Sequence, residues 1–421
     1  MLFILAALTF HGFASPLGAA VIPVNDTADD LDQGPNGNCT LREAIQAANT
    51  NLPVDACFPG DPAPMVDLIA VPTGTYLLTI PGAEEDGNLT GDLDVLEDTE
   101  IHGSGPGATI IDGGGLDRVL HLGGDSTTTR TLSNLTIRGG VAPNIPGPGS
   151  GDGGGVYVVR GTITITHCEI VDNTTLADYG GGIATRGGTG TIEFSTISGN
   201  SATAAPLGSG GGVSIRSFPF VIESSTVINN DADVAGGIHS FGNVTVINTT
   251  VSGNSAGNSA GASVDEGSSL HLIHTTVSEN TGFGTLGVNF YGGTMTITNS
   301  VIEGTCGGDI TSGGGNLESP GDTCNLVDAT DQTHVPDLGL GPLGDHGGPT
   351  LVYPLLFGSP AIDAAVAGSC PATDQRSIPR PFDGDGDGTL ACDAGAFEFS
   401  TLIFLDGFES GDTMAWSGIV Q

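Results

Sequence analysis

The chain contains no lysine. All nine of its basic residues are arginine: Arg42, Arg118, Arg130, Arg138, Arg160, Arg186, Arg216, Arg376 and Arg380. That absence excludes a phosphate-loop lysine, Schiff-base chemistry and a lysine general base. Against nine arginines stand 48 acidic residues, for a formal net charge of −39. A field of that sign repels nucleic acid and anionic membrane surfaces, so neither is expected as a partner. It suits calcium and neutral or cationic partners. Long apolar runs are also scarce. Residues 2–13 form one, but it is shorter than the roughly 20 residues that cross a bilayer. With Gly18-Ala19-Ala20 behind it, the run reads as a signal peptide over residues 1–20. No comparable run follows, so no transmembrane segment is expected once the leader is removed.

What is abundant is glycine, 70 of 421 residues, more than twice the usual share of about 7%. No Gly-X-Y register accompanies it, which excludes collagen. Aromatics make up only 5% of the chain, so the core must be aliphatic. Val, Ile and Leu alternate in short runs, the pattern of strands.

The middle of the chain repeats. Small-residue triplets begin at Gly153, Gly180, Gly210, Ala235, Ala260 and, degraded, Thr285, at spacings of roughly 25 to 30 residues. A short strand follows each triplet. A second strand then ends in a shared phrase, as in Cys168-Glu169-Ile170-Val171-Asp172-Asn173 and in residues 195–200, 225–230, 249–254 and 275–280. A coil of this size cannot bury its apolar side alone, so coils must stack through parallel strands. The spacing then places Ile170, Ile197, Val227, Val251, Val277 and Ile302 in an internal stack. It places the closing asparagines in an amide ladder, at a left-handed turn position. The triplets mark a corner that requires positive φ. Parallel crossovers are overwhelmingly right-handed. The expected fold is therefore all-β, a right-handed parallel β-helix (a solenoid of the pectin-lyase kind).

A single helix is expected at residues 40–49. Thr40 and Glu43 have capping-box spacing, and Leu41, Ala44, Ile45 and Ala48 share a face that can cover the open first coil. Six of the seven cysteines fall in local pairs: Cys39 with Cys57, Cys306 with Cys324, Cys370 with Cys392. That usage suits an oxidising compartment. Cys168 is left over inside a strand pattern and reads as a small buried side chain.

Cys39-Thr40-Leu41-Arg42-Glu43-Ala44-Ile45, with Val24-Asn25-Asp26-Thr27 before it, resembles the N-terminal signature of CSLREA-domain proteins, which are secreted bacterial β-helix proteins. Thr40 replaces the usual serine. The far end is similar to the choice-of-anchor Q module, through residues 341–350, Gly358-Ser359-Pro360-Ala361-Ile362-Asp363, Asp374-Gln375-Arg376, Arg380-Pro381 and residues 393–398. Ser377 stands where that module has glycine. The central coils resemble pectin-lyase-like and polymorphic outer-membrane-protein repeats. The resemblance implies export and architecture, and brings no common activity with it. It divides the chain into a cap at 21–60, a β-helix at 61–305 and a C-terminal module at 306–400. Residues 401–421, similar to a short ending of many exported gammaproteobacterial proteins, read as a tail: a sorting tag or a strand on the last coil.

Two constellations could carry chemistry. Asp383-Gly384-Asp385-Gly386-Asp387-Gly388 has the alternate-oxygen spacing of a calcium loop. Ala394 stands where an EF-hand has its closing glutamate, with Asp393 one place early, so a looser structural calcium site with Asp383, Asp385, Asp387 and Asp393 is expected. An acidic glycine-rich turn is the rival reading. Just after the triplets, Arg160, Arg186 and Arg216 recur on successive coils, continued by Phe241, Glu266 and Tyr291. Beside them run Tyr157, Ala184, Ser214, His239, Val264 and Asn289. Arginines with aromatic neighbours suit a carboxylated or sulfated sugar; a solvated strand edge is the rival. None of the signature runs of pectate lyases or polygalacturonases is present, nor a nucleophile elbow or zinc spacing. The expected function is therefore a secreted or cell-surface, non-enzymatic protein that binds extracellular polysaccharide or a surface in the manner of an adhesin. A polysaccharide lyase or glycoside hydrolase on the same face is the first alternative, and a passive structural exoprotein the second. Oligomeric state is not legible.

Overall fold

The computed structural model describes residues 19–31, 36–83, 85–144, 151–176, 179–203, 208–288 and 292–400. Residues 1–18, within the expected leader, the tail at 401–421 and Tyr291 lie outside the described residues. Each coil gives one strand to each of three sheets, and in its middle portion to a fourth. The sheets hold eleven, ten, nine and six strands. All pairs between named strands are parallel, and neighbours in a sheet come from neighbouring coils. The result is a right-handed parallel β-helix. The eleven-stranded sheet begins with Val21–Pro23 beside Asp67–Ala70. Its five-residue strands alternate cleanly, as in Thr162–Thr166, where Ile163 and Ile165 are buried between three half-exposed threonines.

The expected internal stack forms in register. Ile170 pairs with Ile197, then Val227, Val251, Val277 and Ile302. All six are fully buried, each contributing about 1.5–3 kcal/mol of apolar burial. The amide ladder forms too. Asn173 donates Nδ2 to Asn200 Oδ1 at 3.0 Å, Asn200 to Asn230 at 2.9 Å, Asn230 to Asn254 at 3.0 Å and Asn254 to Asn280 at 2.9 Å. The left-handed residue is one place earlier than expected: Asp172, Gly199, Asn229, Gly253 and Glu279 take φ of 54–65°. That turn frees the ladder asparagine to point inward and bond the coils on either side. At the triplet corner Gly153, Gly180, Gly210 and Ala235 take positive φ, and in the next coil Ser259 does, one residue ahead of Ala260.

A second ladder runs one strand-start earlier. The amide of Cys168 donates to Ser195 Oγ at 3.1 Å, Ser195 to Ser225 Oγ at 3.2 Å and Thr275 to Ser300 Oγ at 3.1 Å. Cys168 fills a slot that its neighbours fill with hydroxyls. Burial pushes its thiol up to about 12, so it is a structural residue. Cys168→Ser should therefore leave the melting temperature within about 2 °C, a surface-sized change. A thiol reagent should label Cys168 only after unfolding; rapid labelling of the native chain would contradict this placement.

The helix spans Leu41–Thr50 with the capping box in place: Thr40 Oγ1 accepts from Glu43 N, and Glu43 Oε2 accepts from Thr40 N at 3.0 Å. Its apolar face closes the first coil. Arg42 crosses beneath it, fully buried, with Nε 2.6 Å from Asp29 Oδ1 and its outer nitrogens on the carbonyls of Gly91 and Asp92. The three cysteine pairs form as expected.

Strands Cys306–Gly307, Ile310–Ser312 and Leu317–Ser319 still add to three of the sheets. The solenoid thus runs past the loss of the asparagine phrase. Residues 320–400 then fold back as irregular turns along the outside of the ten-stranded sheet. Thr226, Thr250 and Thr276 point outward there and are buried beneath this return. Gln375 sits at the centre: Thr250 Oγ1 donates to its Oε1 at 2.7 Å, and its Nε2 donates to Thr226 and Thr350 at 3.0 and 2.9 Å. A second small core, with Val301, Leu317, Val352, Ala394 and Phe397, joins the two parts.

Candidate functional site: the face of the triplet sheet

The nine-stranded sheet is built from the short strands that follow each triplet. Its middle residues are register partners in the order Asp94, His121, Tyr157, Ala184, Ser214, His239, Ser263 and Gly287. These side chains point away from the solenoid core, since their flanking residues fill it, yet all are buried. Two rows close over them. The corner residues before each left-handed turn form one row: Asp152, then the paired Tyr179, Ser209, Val234 and Asn258. The residues after each strand form the other: Val159, Arg186, Arg216, Phe241 and Asp265.

The register corrects the sequence reading. Arg186, Arg216 and Phe241 do share a row. Arg160 falls one place beyond it, in the turn before Thr162–Thr166, and Val159 holds its position. Asp265 holds the position assigned to Glu266, and Ser263 and Gly287 those assigned to Val264 and Asn289. Coil length varies at the corners, and counting from the triplets therefore slips by one place, and by two in the coil of Gly287.

Arg216 lies between two rings. Its guanidinium carbon is 3.8 Å from the centre of Tyr179 and 4.6 Å from that of Phe241, which meet edge to face. No carboxylate pairs with Arg216 among the described residues. Arg186 is held by Asp152, Nε to Oδ2 at 3.2 Å. Burial raises the Asp152 carboxyl, which Arg186 opposes. His239 packs against Phe241, ring centres 4.0 Å apart and planes tilted by 39°, and brings Nε2 to 3.4 Å from Asp265 Oδ1. Among the described residues, neither ring nitrogen of His239 nor the hydroxyls of Ser209, Ser214 and Ser263 find a hydrogen-bond partner. These polar side chains lie along the sheet and corner rows beside Arg216 and its rings. Toward the C-terminal coils the same rows open into a cavity of about 800 Å³, lined by Asn258, Ser259, Gly287 and the exposed Phe283.

Toward the N-terminal coils, Tyr157 is stacked on His121 at 5.6 Å and covered by Arg118 at 5.1 Å. Burial pushes its hydroxyl up to about 12. Arg118 also faces Asp92 at 3.2 Å and Asp117 at 3.9 Å. Burial raises both carboxyls, that of Asp92 well above the usual range. His121 lies 2.6 Å from Asp94 and 3.4 Å from Asp86. Sequence reasoning missed Asp86, Asp94, His121, Asp152 and Tyr179. The one available signal was the register leading back from Tyr157 through Val119-Leu120-His121-Leu122.

The glycine-aspartate loop lies elsewhere, in the C-terminal return. Asp363, Asp383 and Asp385 bring carboxylate oxygens within 4.8 Å of one another. Asp363 was not foreseen. Asp387 is outside this group. Asp393 is buried behind it, where its Oδ1 accepts from Asp363 N at 2.8 Å and its Oδ2 from Phe399 N. It braces Asp363 and does not converge with the loop.

No curated protein and no solved structure matches the chain. Residues 96–281, the stretch that holds Tyr157, Tyr179, Arg186, Arg216 and His239, match the family described as right handed beta helix region, so the candidate site is the outer face of such a helix.

Proposed function

We propose that this protein is an exported β-helix that binds an acidic polysaccharide along the triplet-sheet face. The observation that carries this reading is Arg216. In a chain of net charge −39, its guanidinium is fixed between two rings with its N–H edge unpaired by any described carboxylate. A planar, pre-oriented fork of this kind suits a carboxylate or sulfate, and the flanking rings suit sugar faces. Arg186 sits one coil away, about 4.8 Å along the axis, so a linear polymer lying along the solenoid meets both arginines. The adjoining cavity lengthens the track. Export is supported by the three disulfides and by the CSLREA-like and choice-of-anchor Q-like ends, on whose family likeness it rests.

The test is retention of the chain from Val21 on immobilised uronate, sulfated and neutral polysaccharides, with new reducing ends assayed in parallel. Arg216→Ala should weaken retention on an acidic polymer at least about tenfold, as expected for a charge-assisted contact of about 1.5–3 kcal/mol. It should leave neutral polymers unaffected. Reducing ends that form with the wild type would instead favour the enzymatic reading, for which the Asp265–His239 and Asp94–His121 pairs are the available acid-base groups. No retention on any polymer would leave a passive structural protein.

Calcium is proposed at Asp363, Asp383 and Asp385, as a brace for the C-terminal return. Oxygen-only ligands on a glycine-rich turn suit that ion. Calcium in excess should raise the melting temperature over that in chelator, by about 4 °C or less in a chain of this size. Asp385→Asn should abolish the difference; an unchanged response would remove the site.

A further inference from the structure

We infer that Asp86, Asp94 and His121 form a binding site for a divalent transition-metal ion at the N-terminal end of the triplet-sheet face. This is independent of glycan binding and uses residues remote from the calcium loop. The three ligand atoms lie within 4.8 Å of one another, two from segment 86–94 and one from the next coil. Asp94 and His121 are direct register partners on adjacent strands, Leu93–Val95 and Leu120–Leu122. The sheet itself therefore holds the two side chains together, 2.6 Å apart in a hydrogen bond whose proton the ion would displace to solvent on binding. Asp94 is fully buried, and its second oxygen is held by the amide of Asn88 at 2.7 Å. The ring of His121 is held by stacking on Tyr157, with 12° between the planes. Asp86 arrives on a loop that Asn88 ties to the helix through the carbonyl of Arg42, at 2.8 Å. Its side chain is 79% exposed, which leaves an entry path from solvent.

The donor set decides the class of ion. One imidazole nitrogen with two carboxylates suits zinc, manganese or iron(II), whereas calcium and magnesium take oxygen alone. The local charge supports a cation. Arg118 is engaged by Asp92 and Asp117, and Arg42 by Asp29. His121 lies within 4 Å of both Asp86 and Asp94. A buried carboxylate beside a second one calls for a positive partner.

The test titrates the full chain with cobalt(II), read by its visible absorption, and with zinc by calorimetry. One saturable equivalent is expected. It should weaken at least about tenfold in Asp86→Asn and in His121→Gln and be unchanged in Asp385→Asn. Asp86 is exposed, so its substitution leaves the fold intact and decides alone should His121→Gln fail to fold. Absence of saturable binding, or binding that survives Asp86→Asn, overturns the site and leaves a plain Asp94–His121 hydrogen bond. Retention of acidic polysaccharide by Asp86→Asn separates this result from the fate of the Arg216 site.

Discussion

Arg380→Met lowers the unfolding free energy by about 3–5 kcal/mol, because it strands a buried partner charge. Both Arg380 and Glu398 have fully buried side chains, 3.3 Å apart. Arg380 also donates to the carbonyls of Asp393 and Gly395, each at 2.8 Å, and its Nη1 lies 2.8 Å from His274 Nδ1. Burial and the guanidinium push His274 down to about 3, so the imidazole stays neutral and Arg380 faces no competing charge there. Glu398 in turn accepts from the amides of Phe382 and Asp393 at 2.8 and 3.0 Å. The pair thus ties three turns of the return to the solenoid. Urea unfolding measures the loss. Adding Glu398→Gln to Arg380→Met should recover part of it, because the orphaned carboxylate is gone. A single substitution that costs less than about 1 kcal/mol, the scale of a surface pair, would mean that the return does not depend on this clasp.

Asn230→Ala should cost about 3–5 kcal/mol, from several buried groups left unpaired at about 1–3 kcal/mol each. Asn230 Oδ1 accepts from both the amide and the side chain of Asn200, at 3.0 and 2.9 Å. Its Nδ2 reaches Ile197 O and Asn254 Oδ1, both at 3.0 Å. No other side chain can refill the slot, since a coil lies above and below. Asn280→Ala should cost about half as much, since Asn280 ends the ladder and is only partly buried. Equal losses at the two positions would show that the ladder acts residue by residue and not as a stack.

The repeat made the inner layer readable. Ile170 and its successors, the ladder asparagines and the triplet corners recur at like positions, and stacking maps recurrence onto contact. The cap helix and the disulfides were readable because capping boxes and short cysteine loops are local signals. The outer layer was not. Thr226, Thr250 and Thr276 alternate with buried residues as solvent-facing positions do, and nothing local shows that residues 320–400 return to cover them. Gln375 and Arg380 stood out only through a likeness, while the solenoid residues they meet, Thr250 and His274, are more than 100 residues away in sequence. On the candidate face, Arg186, Arg216 and Phe241 were found because they follow the triplets directly. Tyr179, which completes the clamp on Arg216, precedes its triplet by one residue and belongs to a corner of variable length. Asp94 and His121 lie on early coils where the repeat is too weak to set a register.

The most direct measurement is calorimetric titration of the chain from Val21 with a soluble polyuronate and with its methyl ester, which differ only in charge at each sugar. Binding of the acid that is lost in the ester and is lost in Arg216→Ala is the predicted result. Equal binding of acid and ester, or binding of the acid that Arg216→Ala leaves intact, would contradict the assignment of this face to acidic polysaccharide.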